Sequence, residues 1–310
     1  MSNTPVVHVG FPKSLSTWLQ QYYFTERMGF DRVGNPFLLQ QHVIDPWTLE
    51  FDPDTCRESL GIGRSGNPGV PVLSSETLSG NLFCGGFDSK LLADRLKAVL
   101  GDARILILFR EQRAMIRSLY STGVSWGMPQ SLERFLKPVS PRMSPGFDPA
   151  YLKYHLLVAY YRELFGHENV LALPMEGFSA DPNGFLTRLS SFCGLDADHA
   201  AQAADLPVRR RVNRKRSVVN LTWQRLFNRL MVSSPFNYSG LIRDTDIRQL
   251  RRVGTCIRRE NRIPNIARRW GEKRMTRRIH QYASDTYAAS NRQLQQITAV
   301  DLSAFDYVLE

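Results

Sequence analysis

Short apolar segments alternate with helix-like segments along the first two thirds of the chain. Four runs have the length and composition of buried strands: 5–10, 70–76, 104–109 and 169–175. Helical periodicity follows at five places: 16–27, 88–101, 112–124, 148–165 and 181–195. The run RILILF at 104–109 is apolar throughout, as expected of a parallel strand that is covered on both faces. The alternation predicts an α/β fold of three layers, with a central parallel sheet flanked by helices.

The rest of the chain is predicted to contain loops and helices. Asp88 and Gly101 are placed to cap and to end one helix. Residues 36–70 are rich in Pro, Gly and Asp and predict loops with little regular structure. Beyond residue 207 no strand is indicated, and three segments look helical: 218–232, 245–260 and 275–297. We therefore expect one domain over 1–310, with an α/β core at 1–206 and a mainly helical part at 207–310.

Positive charge is concentrated in the C-terminal third. The whole chain has a net charge of +11, but 207–280 holds 21 Lys and Arg against 4 Asp and Glu, which leaves −6 for the remainder. Such asymmetry favours an anionic partner, and one such partner is a membrane surface that the basic C-terminal part contacts peripherally. A solvated helical face is the alternative. No nucleic-acid-binding motif is present, so no nucleic-acid partner is expected.

Cysteine spacing and hydropathy indicate the compartment. Cys56, Cys84, Cys193 and Cys256 lie far apart and have no metal-ligand spacing, so we expect reduced, structural thiols and no metal. No apolar run approaches the ~20 residues of a membrane span, and the first residues lack the pattern of a secretory signal. These features predict a cytoplasmic protein.

The segment VVHVGFPKSLSTWLQ at 6–20 joins the first strand to a helix N-terminus. Ligands bind open α/β sheets at the carboxyl ends of the strands, and a helix N-terminus offers free amides to a phosphate. Lys13 adds a charge, and Ser14, Ser16 and Thr17 add hydroxyl donors. The Walker A pattern Gly-x-x-x-x-Gly-Lys-Ser/Thr of an ordinary P-loop ATPase is absent, because Lys13 comes only three residues after Gly10 and no Gly-Lys pair occurs at this site. The alternative is a capped helix with Lys13 on the surface.

A second cationic feature follows the strand at 104–109. Arg110 ends that strand, and Ser118 comes eight residues later, about two helical turns along the following helix. Neighbouring strand ends in a parallel sheet can each hold one phosphate group, and arginine makes bidentate contacts to phosphate. A structural ion pair is the alternative role of Arg110.

Both motifs resemble those of sulfotransferases that use 3′-phosphoadenosine 5′-phosphosulfate (PAPS). FPKSLSTWLQ resembles the loop that binds the 5′-phosphosulfate, and ILILFREQRAMIRSLYS resembles the segment that binds the 3′-phosphate. LALPMEGFSADPNGFLTRLSSFCGLD and DLSAFDYVL resemble the later strand and helix and the C-terminal tail. The likeness covers most of 5–220 in order. It implies a P-loop-like α/β fold and sulfuryl transfer from PAPS, with 3′-phosphoadenosine 5′-phosphate as the product.

The resemblance also implies roles for individual residues. The 5′-phosphosulfate loop comprises Pro12, Lys13, Ser14, Leu15, Ser16, Thr17 and Trp18, with Lys13 stabilising charge on the leaving nucleotide. Arg110 and Ser118 bind the 3′-phosphate. By the same resemblance, a basic segment at 208–217 closes over the cofactor through Arg211, Asn213 and Arg214, and a solvated basic turn is the alternative. Leu15 stands where the family has glycine, which implies either a helical backbone at this position or a rearranged loop.

The acceptor must lose a proton, so the reaction needs a base. Relatives use a His or Glu just after the strand that precedes the 3′-phosphate strand, and Glu76 occupies that place. A capping or surface role is the alternative for Glu76. The other candidate bases are His42, Asp45 and Glu111, whereas His8 is predicted to be a core residue.

The acceptor is expected to be a hydroxyl or amine of a small molecule, a glycan or a lipid. Its walls are expected in 36–70 and 125–147, with five candidates: Phe37, His42, Trp47, Trp126 and Phe147. Two other classes remain open: an α/β nucleotide-binding phosphotransferase, and a non-catalytic basic protein that binds membrane or nucleic acid. The phosphotransferase would need a Walker lysine and a magnesium carboxylate, and the binding protein would show affinity that falls steeply with salt.

Overall fold

The computed structural model describes residues 4–63, 69–137, 146–208, 217–238, 240, 242–243 and 265–310. Its centre is a five-stranded sheet in the order β2-β3-β1-β4-β5 in which every pairing is parallel. The strands are β1 Val6–Gly10, β2 Phe30–Arg32, β3 Val70–Ser75, β4 Arg104–Phe109 and β5 Val170–Pro174. The predicted parallel α/β fold is confirmed.

The two central strands explain the uninterrupted apolar runs. In β1, Val7 pairs with Leu73 of β3 on one side and with Ile105 of β4 on the other. Alternate β4 residues enter two separate cores: Ile105 and Ile107 face one, and Leu106 and Leu108 face the other. Both faces of the sheet are therefore covered, which gives the predicted three layers.

Helices cover both faces and follow most strands. They are α1 Ser16–Trp18, α2 Pro36–Leu39, α3 Pro53–Leu60, α4 Ser89–Leu100, α5 Gln112–Ser125, α6 Leu132–Phe135, α7 Tyr154–Phe165, α8 Glu176–Ala180, α9 Pro182–Cys193, α10 Ala197–Gln202, α11 Val218–Met231 and α12 Asn265–Thr298. Two turns with π-helical hydrogen bonding extend α1 and α2: Leu19–Tyr23 and Gln40–Ile44. The described part of the chain also contains five 3₁₀ turns: Glu26–Met28, Glu76–Ser79, Pro149–Leu152, Ala203–Asp205 and Ser303–Phe305.

The prediction that 36–70 lacks regular structure is wrong. Asn35 caps α2 by accepting hydrogen bonds from the amides of Phe37 and Leu38, and proline follows it at the first helical position. Asp52 caps α3 in the same way, again with a proline next. An Asn or Asp followed by Pro is typical of a helix start as well as of a loop, and at Asn35 and Asp52 it marks the start of a helix.

Several element boundaries also differ from the prediction. The helix expected at 16–27 ends at Tyr23, and the one expected at 148–165 is broken at Lys153 into a 3₁₀ turn and α7. The β3 strand ends one residue before Glu76. The Asp88 carboxylate does not cap α4; it accepts from the Asn81 amide at 2.7 Å instead. Gly101 ends α4 as predicted, with a φ of 68°.

The C-terminal part packs on the sheet layer through α12. This helix lies against α5 and α7 and buries a stripe of apolar side chains: Met275, Ile279, Ala283, Tyr287 and Leu294. The predicted helix at 218–232 is α11, and the one at 275–297 is part of α12, whereas the one at 245–260 lies outside the described residues. Val232–Ser233 and Ile242–Arg243 form a two-residue parallel pair, so strand structure does recur beyond 207.

The structure also describes three of the four cysteines and the length and hydropathy of the helices. Cys56, Cys84 and Cys193 are free thiols, and the first and third are buried; Cys256 lies outside the described residues. Among the described helices, none combines the length and the apolar character that crossing a bilayer requires.

Candidate functional site

The loop between β1 and α1 has an unusual backbone. Lys13 has a φ of 66°, and Leu15 has a φ of 72° with a ψ of −4°, which is the left-handed region that favours glycine. Of the two predicted alternatives for Leu15, a helical backbone is therefore wrong, and a rearranged loop stays a prediction. The loop has a backbone conformation typical of glycine with a leucine in it, at a cost of roughly 1–2 kcal/mol.

This conformation leaves amide groups available at the start of α1. Trp18 and Leu19 both donate their amides to the Leu15 carbonyl, at 3.0 and 3.1 Å. Leu15 is the residue that precedes the helix, and it provides no side-chain cap. A left-handed residue followed by a right-handed one turns consecutive amides toward one concave side. The loop thus has the geometry of an anion-binding nest at a helix N-terminus.

Two serine hydroxyls in this loop lack partners. Ser14 Oγ and Ser16 Oγ are buried, and within the described part of the chain neither makes a hydrogen bond. A buried unpaired hydroxyl costs about 1–3 kcal/mol, and an anion seated in the loop would satisfy it. Lys13 and Thr17 are exposed in the same loop. The residues present therefore fit the phosphate group that the sequence predicts.

His8 lies beneath the loop and is a core residue, as predicted. Its Nδ1 is 2.8 Å from Ser74 Oγ, and burial lowers the pKa of the imidazole to about 3. Its Nε2 has no partner among the described residues. A Cβ on Gly10 would stand 2.7 Å from this Nε2 and 2.8 Å from Ser16 Oγ, so residue 10 must be glycine for His8 and the loop to pack together.

Arg110 lies beside the loop. β1 and β4 are adjacent, so their carboxyl ends meet at the same edge of the sheet. Arg110 Nη1 is 3.4 Å from the Lys13 carbonyl oxygen, and the Arg110 carbonyl accepts from the Tyr154 hydroxyl at 2.7 Å. Ser118 is half-buried on α5, six residues and about 9 Å beyond the helix start at Gln112. The two predicted phosphate motifs are therefore on neighbouring strand ends.

Glu76 approaches the loop from the other side. β3 pairs with β1, and Glu76 begins the 3₁₀ turn that follows β3. Ser79 in that turn has its hydroxyl oxygen 2.9 Å from the Glu76 carbonyl and 3.2 Å from the Gly10 carbonyl. The Glu76 side chain is half-buried. The candidate base thus lies at the same sheet edge as Lys13, with β1 between it and Arg110.

The other candidate bases are held in structural roles or lie elsewhere. Glu111 caps α5: its carboxylate accepts from the amides of Arg113 and Ala114 and forms an ion pair with the Arg113 Nε at 2.7 Å. His42 lies in the π-helical turn after α2, and Asp45, just after that turn, accepts from the Gln40 side chain. No described contact joins His42 or Asp45 to the loop.

Glu176 is a site residue that the sequence did not reveal. It follows β5, and its carboxylate accepts from the Glu111 amide and from the Tyr307 hydroxyl, each at 3.2 Å. Burial raises the pKa of Glu176, and nearby Arg110 acts in the opposite direction. A carboxylate two residues after a strand is visible in the sequence, but the return of the C-terminal tail to this edge of the sheet is not.

The remaining predicted residues divide into exposed, buried and undescribed ones. Trp18 is buried, and its Nε1 donates to the Pro207 carbonyl at 3.3 Å. Pro207, which immediately precedes the basic segment at 208–217, therefore lies beside the loop between β1 and α1. Arg211, Asn213 and Arg214 lie outside the described residues.

The candidate acceptor walls are similarly divided. Phe37, Trp47 and Trp126 are exposed, whereas Phe147 is buried in the core against Phe135. Phe147 is therefore not a wall of an open pocket.

Comparison with known proteins identifies the fold. No family model and no curated protein matches the chain. A sulfotransferase from Alicyclobacillus acidocaldarius superposes over 97% of this chain and 98% of its own, with a TM-score of 0.54 and 16% identity. The sulfotransferase domain from the curacin biosynthetic pathway matches over 65% of this chain and 78% of its own, at a TM-score of 0.41 and 14% identity. The Alicyclobacillus structure shows that the chain has a sulfotransferase fold.

Proposed function

We propose that this protein transfers a sulfuryl group from PAPS to a hydroxyl or amine of an acceptor. One observation carries the proposal: a left-handed, uncapped loop lies beside Arg110 on the neighbouring strand end, and two of its serine hydroxyls have no partner among the described residues. Two anion-binding positions on adjacent strands suit a nucleotide that is phosphorylated at both 3′ and 5′. The sulfotransferase fold supports the same assignment.

The loop after β1, the residues after β4 and the basic segment have distinct roles in this proposal. Ser14, Ser16 and Thr17 hold the 5′-phosphate through their hydroxyls and amides, and Pro12, Leu15 and Trp18 shape the loop around it. Arg110 donates to the 3′-phosphate with Ser118. Arg211, Asn213 and Arg214 close over the nucleotide from the basic segment. When bound, PAPS supplies an activated sulfuryl group whose bond to the 5′-phosphate oxygen breaks during transfer.

Lys13 and Glu76 act on the reacting atoms. Negative charge grows on the 5′-phosphate oxygen as the sulfuryl group leaves, and the exposed Lys13 ammonium and the loop amides stabilise that charge. Glu76 accepts the proton that the acceptor loses. Among the described residues no group of three His, Cys, Asp or Glu side chains comes together as metal ligands would, and the proposal uses no metal.

Nucleotide binding tests the cofactor part of the proposal. Calorimetric titration with adenosine 3′,5′-bisphosphate should give at least about tenfold tighter binding than titration with ATP, because only the bisphosphate presents a group to Arg110 and Ser118. The tighter ligand should also raise the melting temperature more, since it binds only the native state. Equal affinity for the two nucleotides would refute the assignment and favour a phosphotransferase.

Substitution separates binding from chemistry. Lys13→Ala and Glu76→Gln should lower the single-turnover rate by about 10²–10⁴-fold at saturating PAPS. Both variants should still bind adenosine 3′,5′-bisphosphate, because Glu76 contacts the acceptor and Lys13 acts mainly on charge that develops in the transition state. Glu163→Gln, on the exposed side of α7, is the matched control and should keep the parent rate. A Glu76→Gln variant that reacts as fast as the parent would make Glu76 structural.

A further inference from the structure

The helix α11 carries a row of exposed apolar side chains. Trp223, Leu226 and Leu230 are spaced three and four residues apart, so they line one side of the helix. They are 57%, 44% and 63% exposed, respectively. We call these three residues the apolar stripe.

The orientation of α11 is fixed by its other side. Leu221 and Asn228 are buried. Asn228 Nδ2 donates to the carbonyls of Val124 and Met128 at 2.7 and 3.1 Å. Turning the apolar stripe inward would break both bonds and leave a buried amide unpaired, so the stripe faces outward as a stable feature of the fold.

A basic face lies on the adjacent helix α12. Trp270, Lys273, Arg274 and Arg277 are all exposed and follow helical spacing. We call these four residues the basic face. The Arg274 guanidinium is 5.6 Å from the Trp270 ring centre.

Glu272 does not cancel this charge. It pairs with Arg117 at 2.7 Å and accepts from the Val218 amide.

The two surfaces begin at one helix contact. A Cβ on Gly271 would lie 3.6 Å from the Val218 side chain, so the starts of α11 and α12 touch. Trp270 is next to that contact, and Trp223 is five residues along α11 from it, about 7.5 Å. Exposed tryptophan therefore stands close to exposed lysine and arginine at the junction of the two helices.

We propose that the apolar stripe and the basic face dock on a lipid bilayer that contains anionic lipids. The net charge of +17 over 207–280 complements an anionic surface, while the rest of the chain is −6 and is repelled by it. Leucine and tryptophan on one side of a helix, with lysine and arginine beside them, are typical of helices that lie at a membrane interface. A nucleic-acid surface needs phosphate contacts and stacking aromatics but no exposed leucines.

The buried side of α11, opposite the apolar stripe, is linked through Phe236 and Asn237 to Phe83 in the segment after β3. Phe83 follows Glu76 in the chain, and its ring centre is 5.1 Å from that of Trp126 and 5.0 Å from that of Phe236. Asn237, next to Phe236, donates to the Asn228 carbonyl of α11 at 2.8 Å. Membrane docking itself does not depend on sulfuryl transfer.

Vesicle flotation tests the proposal without any acceptor. The purified chain of 310 residues is mixed with vesicles of phosphatidylcholine alone, or with about one lipid in three replaced by phosphatidylglycerol, at low and at physiological salt. We expect at least about tenfold tighter binding to the anionic vesicles, and a loss of affinity at the higher salt. Equal binding to the two kinds of vesicle, or no binding to either, would overturn the proposal.

Matched variants identify the surface. Trp223→Ala should weaken vesicle binding about tenfold, whereas Phe87→Ala, which removes an aromatic side chain of similar exposure from another part of the chain, should leave it unchanged. Lys273→Glu with Arg277→Glu should abolish the preference for anionic lipid. The melting temperature should stay within about 2 °C of the parent in each variant, because these side chains are exposed.

Two further results would contradict this assignment. One is equal effects of Trp223→Ala and Phe87→Ala on vesicle binding. The other is tighter binding to double-stranded DNA than to anionic vesicles at the same salt concentration, unaffected by Trp223→Ala, which would make the surface a nucleic-acid site.

Discussion

The left-handed backbone at Leu15 predicts that glycine gives a more stable protein than alanine at this position, which is the reverse of the order within a helix. Leu15→Ala and Leu15→Gly remove the same half-buried leucine side chain and differ only in the Cβ atom. At a φ of 72° that Cβ is strained, so the glycine variant should be the more stable of the two. At an ordinary helical position the order is reversed, because glycine has more backbone entropy to lose.

The size of the effect follows from the backbone cost. A left-handed residue with a Cβ costs about 1–2 kcal/mol, and the greater entropy that glycine loses on folding offsets about 0.5–1 kcal/mol of this difference. Leu15→Gly should therefore be about 1 kcal/mol more stable than Leu15→Ala. For a chain of 310 residues, 1 kcal/mol corresponds to a melting-temperature difference of about 1.5 °C.

Urea unfolding at neutral pH measures this difference, with Leu157→Ala and Leu157→Gly as the control pair. Leu157 is also half-buried but lies within α7, where the alanine variant should be the more stable by about 1 kcal/mol. Leu15→Gly should in addition keep the parent affinity for adenosine 3′,5′-bisphosphate, since glycine adopts the same backbone. If Leu15→Ala equals or exceeds Leu15→Gly in stability, residue 15 is not left-handed and the nest geometry is wrong.

Three other predictions concern the same edge of the sheet. Arg110→Ala should weaken adenosine 3′,5′-bisphosphate binding at least about tenfold in calorimetry, and Ser118→Ala by less than about fivefold, because only arginine contributes a charged donor; equal losses would place the 3′-phosphate elsewhere. Gly10→Ala should lower the free energy of unfolding in urea by about 1–3 kcal/mol, because the new Cβ would lie 2.7 Å from His8 Nε2 and 2.8 Å from Ser16 Oγ. Gly271→Ala, whose Cβ has its nearest contact at 3.6 Å, should leave the free energy of unfolding unchanged or raise it. Burial lowers the pKa of His8 from 6.5 to about 3, so between pH 7 and pH 5 the unfolded chain binds a proton that the folded chain does not. The free energy of unfolding of the parent should therefore fall by about 2 kcal/mol more than that of His8→Gln over this range. The same pH dependence in both proteins would mean that folding does not lower the pKa of His8.

The sheet could be predicted from sequence because its strands are buried on both faces. Burial on both faces demands continuous apolar runs, and RILILF of β4 is one that no helix period explains. β2 was not predicted because its three residues, Phe30–Arg32, are too short to show a period. The helices α2 and α3 were misjudged because Asn35 and Asp52 before proline indicate a loop and a helix start equally well.

Within the candidate site, chain-local features were predictable and tertiary ones were not. The junction of β1 with a helix, and the position of Arg110 after β4, follow from the order of residues. The left-handed Leu15, the unpaired Nε2 of His8 and the contact between Glu176 and Tyr307 depend on how distant segments meet. A glycine at position 15 would have indicated the left-handed backbone, but the leucine concealed it.

The loop conformation must be maintained by its surroundings, since its own residues oppose it. Leu15 is strained where it stands, and Ser14 Oγ and Ser16 Oγ are buried without partners, so the isolated segment has no reason to adopt this shape. Trp18 and Leu19 oppose relaxation because they are buried in the core beneath the loop. Burial of two such side chains contributes about 3–6 kcal/mol, which is similar in size to the sum of the strain at Leu15, roughly 1–2 kcal/mol, and the two unpaired hydroxyls, about 1–3 kcal/mol each. An anion that accepts from both hydroxyls would remove the larger part of this opposing cost, so anion binding should stabilise the loop conformation.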